Sequence, residues 1–177
     1  MRGPKTKLLD GPQLLDYALR TLSGRALSAA EIRTRLHRRA ATPSDVDEVL
    51  AKLKEAGFLD DAKFAVYYAT ARRDNQGFGQ MRVLRDLRAR NVPPQVAGEA
   101  VREAFEEVDE SAQVEAYLAR KYRSVDLPKF LAEEKNLASA FRRLRVAGFS
   151  STVSIRVLKR YAARADELED EEPEPEA

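Results

Sequence analysis

The stretch Ser28–Leu59, SAAEIRTRLHRRAATPSDVDEVLAKLKEAGFL, carries two helices and the turn that joins them. Glu31 follows Ser28 by three residues, the spacing of a capping box, so a helix is expected to start there and to end past its last inward leucine, Leu36. Thr42 then supplies a cap and Pro43 a first helical position. Val46, Val49, Leu50 and Leu53 recur at helical spacing until Gly57 stops the run. Upstream, Pro12 opens a helix with Leu14, Leu15, Ala18, Leu19 and Leu22 along one stripe, ended by Ser23-Gly24. Residues 12–59 therefore read as one three-helix block.

The block recurs twice. Leu87 and Leu144 take the place of Leu36. Five residues on from each leucine, Ala41, Val92 and Phe149 open the next cap. Further along, Val49-Leu50 correspond to Ala100-Val101 and Val157-Leu158, and Leu53 to Ala104 and Tyr161. The expectation is an all-α chain of three tandem three-helix repeats, 12–59, 60–108 and 109–165, forming an elongated, curved array. A basic N-terminal arm, 1–11, and an acidic disordered tail, 166–177, would flank it. Residues Lys129–Lys135 are extra length in the third repeat and read either as a longer loop or as an extended helix. The aromatics Phe64, Tyr67, Tyr68, Tyr117 and Tyr122 read as packing residues, with base stacking as the sharper alternative.

Composition narrows the function. The chain of 177 residues has no cysteine, which excludes disulfides and thiolate metal sites, and one histidine, His37, set among arginines on a solvated face. No metal or cofactor is expected. No apolar run approaches a membrane span, and a cytoplasmic protein is the default. The net charge of +2 hides an asymmetry: the tail holds eight of the 29 acidic residues, leaving 21 against 31 basic ones in residues 1–165, a net +10. Arginine dominates the basic side, 22 to 9 over lysine, which suits bidentate contacts to phosphates or carboxylates.

No constellation of catalytic spacing stands out. Asp60-Asp61 resembles a carboxylate pair, but it sits where a helix begins and reads as a cap. Gly77-Phe78-Gly79 precedes a basic helix, yet it lacks the Lys-Ser/Thr of a P-loop and the strand of a dinucleotide fold. Its glycines are expected to permit positive φ between two helices. The arginines are the candidate partner-binding residues. Arg82, Arg85 and Arg88 recur every third residue on one flank, with Arg90 at the end and Arg72 and Arg73 closing the helix before. Arg142, Arg143 and Arg145 repeat the pattern in the third block, and Arg33, Arg35, Arg38 and Arg39 in the first.

With these residues in order, the chain resembles the RecX family of RecA regulators over roughly residues 12–162. The resemblance rests on GFLDDAKFAVYYATARR, the glycine turn and MRVLRDLRARNV. Gly57, Asp60 or Asp61, Phe64, Ala65, Arg72, Gly79, Arg82, Leu87, Arg90 and Val92 take the family's positions. Gly77 belongs to the same turn. Asn91 stands where the family has glycine, a residue that also tolerates the left-handed helix end, and Gly148 keeps the family type in the third block. The resemblance implies a non-enzymatic protein that binds RecA filaments on single-stranded DNA in their helical groove, and the chain itself is expected to be a monomer. Strand exchange, ATP hydrolysis and coprotease activity would fall.

Two other classes stay open: a helix-turn-helix module reading DNA directly with the helix from Pro43, and a small-molecule enzyme. Asp45, Asp47 and Glu48 near the start of that helix disfavour phosphate, so weak non-specific DNA binding is the stronger form of the first. The acidic tail is expected to compete with polyanions for the basic surface.

Overall fold

The structure, a computed structural model, describes residues 8–162 and 165. The acidic tail and most of the basic arm lie outside the described residues. Among the described residues there are ten α-helices and no strand. The first six are α1 (Gly11–Gly24), α2 (Ala29–His37), α3 (Pro43–Glu55), α4 (Asp61–Ala71), α5 (Gln80–Ala89) and α6 (Pro94–Phe105). Then come α7 (Glu110–Lys121), α8 (Leu127–Leu131), α9 (Glu134–Ala147) and α10 (Ser151–Leu158). No described helix is long and apolar enough to cross a membrane.

Local chemistry sets most of the boundaries. Asp10 caps α1 by accepting from the Gln13 amide, and Ser28–Glu31 and Thr42–Asp45 form reciprocal capping boxes on α2 and α3. Asp60 accepts from the amides of Ala62 and Lys63 at 3.0 Å each, and the Lys63 bond holds its carboxyl below the ordinary value. The extra residues near Lys129 form neither a loop nor an extended helix. Residues 129–131 close the short α8, which is capped by Asp126 and opened through Pro128, residues 132–133 turn, and residues 134–135 begin α9. Leucine burial follows the repeat register: Leu36, Leu87 and Leu144 are fully enclosed, as are the aligned Val49-Leu50, Ala100-Val101 and Val157-Leu158 pairs, within a few per cent. Ala41 departs from that register and is exposed, unlike Val92 and Phe149.

The chain divides into two compact units, Met1–Tyr68 with Asp86–Ala100, and Ala69–Arg85 with Val101–Ala177. In the first unit, Leu14, Ile32, Leu36, Val46, Leu50 and Leu53 pack one core. The end of α2 is finished differently from the ends of α5 and α9. There the chain turns through the left-handed residues Asn91 (φ 55°) and Gly148 (φ 93°). Ala40, in the equivalent place, instead pairs with Leu9: the Leu9 amide donates to the Arg39 carbonyl at 2.7 Å, and the Ala41 amide to the Leu9 carbonyl at 2.8 Å. Gly98 lies inside α6 with nothing within 4 Å of an added Cβ. Gly98→Ala is therefore expected to raise stability by about 0.5–1 kcal/mol through backbone entropy alone. A fall in the urea midpoint would contradict that open environment. In the second unit, Leu118, Leu131, Phe141, Leu144, Phe149 and Leu158 form the core, with Tyr117 set edge-on against Phe149 at 5.6 Å.

Candidate functional site

In the second unit, α4 continues into a π-helical turn, Arg72–Gln76, which Gly77 ends in the left-handed conformation at φ 63°. Gly79 does not share that conformation, so positive φ explains only one of the two glycines. An added Cβ at Gly79 would lie 2.4 Å from the Gly148 carbonyl oxygen, and one at Gly148 would lie 2.3 Å from the Arg82 amide nitrogen. The two backbones touch here. The Gly79 amide donates to the Ala147 carbonyl at 2.9 Å and the Met81 amide to the Gly148 carbonyl at 3.1 Å. The start of α5 thus satisfies carbonyls that the end of α9 leaves open. The loop's other amides are also engaged, Gly77 to the Arg73 carbonyl and Phe78 to the Arg72 carbonyl. The three amides of the loop itself, those of Gly77, Phe78 and Gly79, are all spent on carbonyls of the protein.

This junction fixes several candidate arginines. Arg82 stacks over the Phe78 ring at 4.2 Å, and both Arg82 and Arg85 donate to the Val146 carbonyl, at 3.3 and 3.4 Å. Cations at a helix C-terminus also meet the negative end of its dipole. Arg145 donates to the Phe149 carbonyl at 3.0 Å. Arg142 and Arg143 are exposed on α9, and Arg143 lies close enough to Tyr122 to oppose the upward shift that burial gives that hydroxyl. Arg73 is turned inward: it pairs with Asp74 at 2.7 Å, which raises the Arg73 pKa and lowers that of Asp74, and it donates to the Ala104 carbonyl. Arg72 is half-buried. Two side chains that sequence reading passed over stand beside these groups, Met81 at 62% and Val146 at 59% exposure. Each sits two positions from a buried stripe residue, Val83 or Leu144, and that misfit with helical spacing was the available signal.

In the first unit, Arg88 is exposed whereas Arg90 is tied in. Its guanidinium donates to Glu31 Oε1 at 2.7 Å and lies over the Tyr68 ring at 4.7 Å. Burial opposes its charge, but the hydrogen bond to Tyr68 and the Glu31 carboxylate outweigh burial and leave its pKa raised. Glu31 Oε2 accepts from the Ser28 amide, and the buried Ser28 hydroxyl donates to the Arg90 carbonyl at 2.8 Å. Asp61, read as a cap for its own helix, accepts instead from the Ala29 amide at the start of α2, at 2.8 Å. Phe64 stacks on Tyr68, while Tyr67 is exposed rather than packed. Gly57 is left-handed at φ 74°, Leu87 is buried, and Asp47 pairs with Arg33 at 2.9 Å on the flank of α3. No group of three metal-ligating side chains occurs among the described residues.

The family model described as "RecX, first three-helix domain" matches residues 15–53. A curated relative, "Regulatory protein RecX" of Deinococcus radiodurans, is 32% identical over 152 residues, 86% of this chain and 70% of the relative. The protein of the same name from Trichlorobacter lovleyi is 31% identical over 132 residues, 75% of this chain and 80% of the relative. Among solved structures, "Crystal structure of RecX from Lactobacillus salivarius" superposes with a TM-score of 0.65 at 16% identity, covering 85% of this chain and 96% of that one. At that identity the likeness concerns the fold: an all-α arrangement of three-helix domains.

Proposed function

The chain belongs to the RecX family, and from that premise we propose that it binds RecA filaments on single-stranded DNA in their helical groove and restrains their extension. It is a regulatory protein, not an enzyme. Recombinase, ATPase and coprotease activities of RecA would fall together. The three blocks 12–59, 60–108 and 109–165 remain our reading of the repeat, supported by the burial of the aligned positions. The observation that carries the interaction reading is the patch in the second unit, where exposed Met81 and Val146 stand beside Arg82, Arg85 and Arg145. Exposed apolar side chains among arginines are the composition of a protein-binding surface, since methionine and arginine are enriched there. The helix-turn-helix alternative is weakened by the acidic start of α3, where Asp45 serves the capping box, Asp47 pairs with Arg33 and Glu48 faces solvent.

The test mixes the purified full chain with RecA, ATP and single-stranded DNA and follows ATP hydrolysis. Inhibition is expected at ratios well below one chain per RecA protomer; its absence there overturns the reading. Met81→Ser with Val146→Ser, and separately Arg82→Ala, Arg85→Ala and Arg88→Ala together, are each expected to raise the half-inhibiting concentration by about tenfold or more. Both serine substitutions fall at exposed positions, so the pair separates a binding defect from a folding defect. Unchanged inhibition in both variants would move the binding surface elsewhere.

A further inference from the structure

One face of the first unit carries apolar surface that the core does not use. A groove of about 560 Å³ is lined by Leu19, Leu22, Leu27, Phe58, Phe64 and Tyr67. Phe58 is 58% exposed and Tyr67 69%. Large apolar side chains left in water side by side mark a contact surface. The carboxylate at the groove, Asp60, is spent on the amides of Ala62 and Lys63 and on Lys63 Nζ at 3.5 Å. A second cleft of about 390 Å³ adjoins the groove, since Ala26, Phe64 and Tyr67 line both. This one is cationic: Arg25 and Arg90 line it and no carboxylate does. Arg90 is committed to Glu31 and the Tyr68 ring. Arg25 is exposed, with neither an ion pair nor a side-chain hydrogen bond among the described residues. Ala26 is exposed in the non-helical chain between α1 and α2, and neither its amide nor its carbonyl makes a hydrogen bond among the described residues.

We propose that this face binds an extended segment of a partner protein in which bulky apolar side chains are followed by carboxylates. Each part of that description answers one feature of the surface. The apolar groove takes leucine- or phenylalanine-sized side chains, and its exposed aromatics are the residue types enriched where proteins meet. The unpaired backbone of Ala26 offers one donor and one acceptor to a strand-like main chain laid along it. Beyond the shared Tyr67, the free Arg25 guanidinium selects a carboxylate, which it can hold through two parallel N–H groups. Charge complementarity therefore fixes the direction, apolar end in the groove and acidic end at Arg25. One free cation beside six apolar side chains is the wrong balance for a chain of phosphates. The proposal does not rest on the RecA reading, and this face shares no residue with the Met81–Val146 patch.

The test uses the full chain alone, without RecA. A fluorescein-labelled peptide, Leu-Ser-Phe-Asp-Glu-Asp, is titrated by anisotropy beside a neutral analogue in which Asn and Gln replace the three acids. Saturable binding of the acidic peptide is expected, with the neutral analogue weaker by about threefold or more. Phe58→Ser with Tyr67→Ser, both at exposed positions, should weaken both peptides by about tenfold or more. Arg25→Ser should cost the acidic peptide about threefold and leave the neutral one unchanged, which ties the carboxylates to that one side chain. Val125→Ser, at an exposed apolar position in the second unit, should change neither. Absence of saturable binding overturns the proposal, as do equal losses in the groove variant and Val125→Ser, or equal losses of both peptides in Arg25→Ser. A peptide of residues 166–177 that binds more tightly than the probe would make the occupant this chain's own acidic segment and overturn the partner reading. Self-association of the wild type that Phe58→Ser with Tyr67→Ser abolishes would overturn it in favour of a second copy.

Discussion

Replacing Gly148 with alanine is expected to destabilise the second unit by about 3–5 kcal/mol, adding a left-handed backbone cost to overpacking against backbone. Two observations set that size. Gly148 has φ 93°, and its Cβ would fall 2.3 Å from the Arg82 amide nitrogen and 2.5 Å from the Arg82 Cβ. Neither neighbour is the free end of a flexible side chain, so α5 itself has to move. The measurement is urea denaturation followed by helical circular dichroism, with Gly57→Ala as the reference. Gly57 is equally left-handed at φ 74° but has open space around it, so its substitution should cost about 1–2 kcal/mol. If the two variants unfold at the same urea concentration, the close approach is not as described. A displaced α5 would also carry Arg82 and Arg85 away from the Val146 carbonyl, so RecA inhibition should weaken along with stability.

Arg90→Ala is expected to cost the first unit about 2–3 kcal/mol, because a charged hydrogen bond and a cation–ring interaction disappear together. The Arg90 and Glu31 side chains are 28% and 21% exposed, so solvent screens the pair less than it does a surface one. Glu31 would also lose its partner while still serving the Ser28 cap. Arg90→Lys should restore only part of the stability, since an ammonium cannot both reach the carboxylate and lie flat on Tyr68. Arg88→Ala, two residues away and exposed, should stay within about 0.5 kcal/mol of the wild type. Equal stability losses at 88 and 90 would contradict the inward role of Arg90. The contrast also has a practical use. A functional defect at Arg88 reports on partner binding, whereas one at Arg90 has to be corrected for the unfolded fraction.

The sequence carried the local physics well. Capping boxes at Ser28 and Thr42, the left-handed end at Asn91 and the buried leucines at 36, 87 and 144 are each decided by neighbours within one or two helical turns. What it did not carry are pairings between distant residues. Asp61 looked like a cap for its own helix because the residues beside it are the only ones visible along the chain, yet its carboxylate serves α2. Arg73 and Arg82 looked equivalent in an arginine-rich run, but Asp74 and the Ala104 carbonyl hold the first and Phe78 stacks on the second. Periodicity marks which face is apolar. It does not show which arginine on the polar face is committed to a neighbour.

The close approach of Gly79 and Gly148 has a consequence over generations. Each position refuses a side chain for want of room, whatever the partner or ligand, so substitution at either would be purged as related lineages diverge. A glycine that persists ahead of a basic helix invites the reading of a nucleotide site. Here its persistence would record crowding between two helix ends.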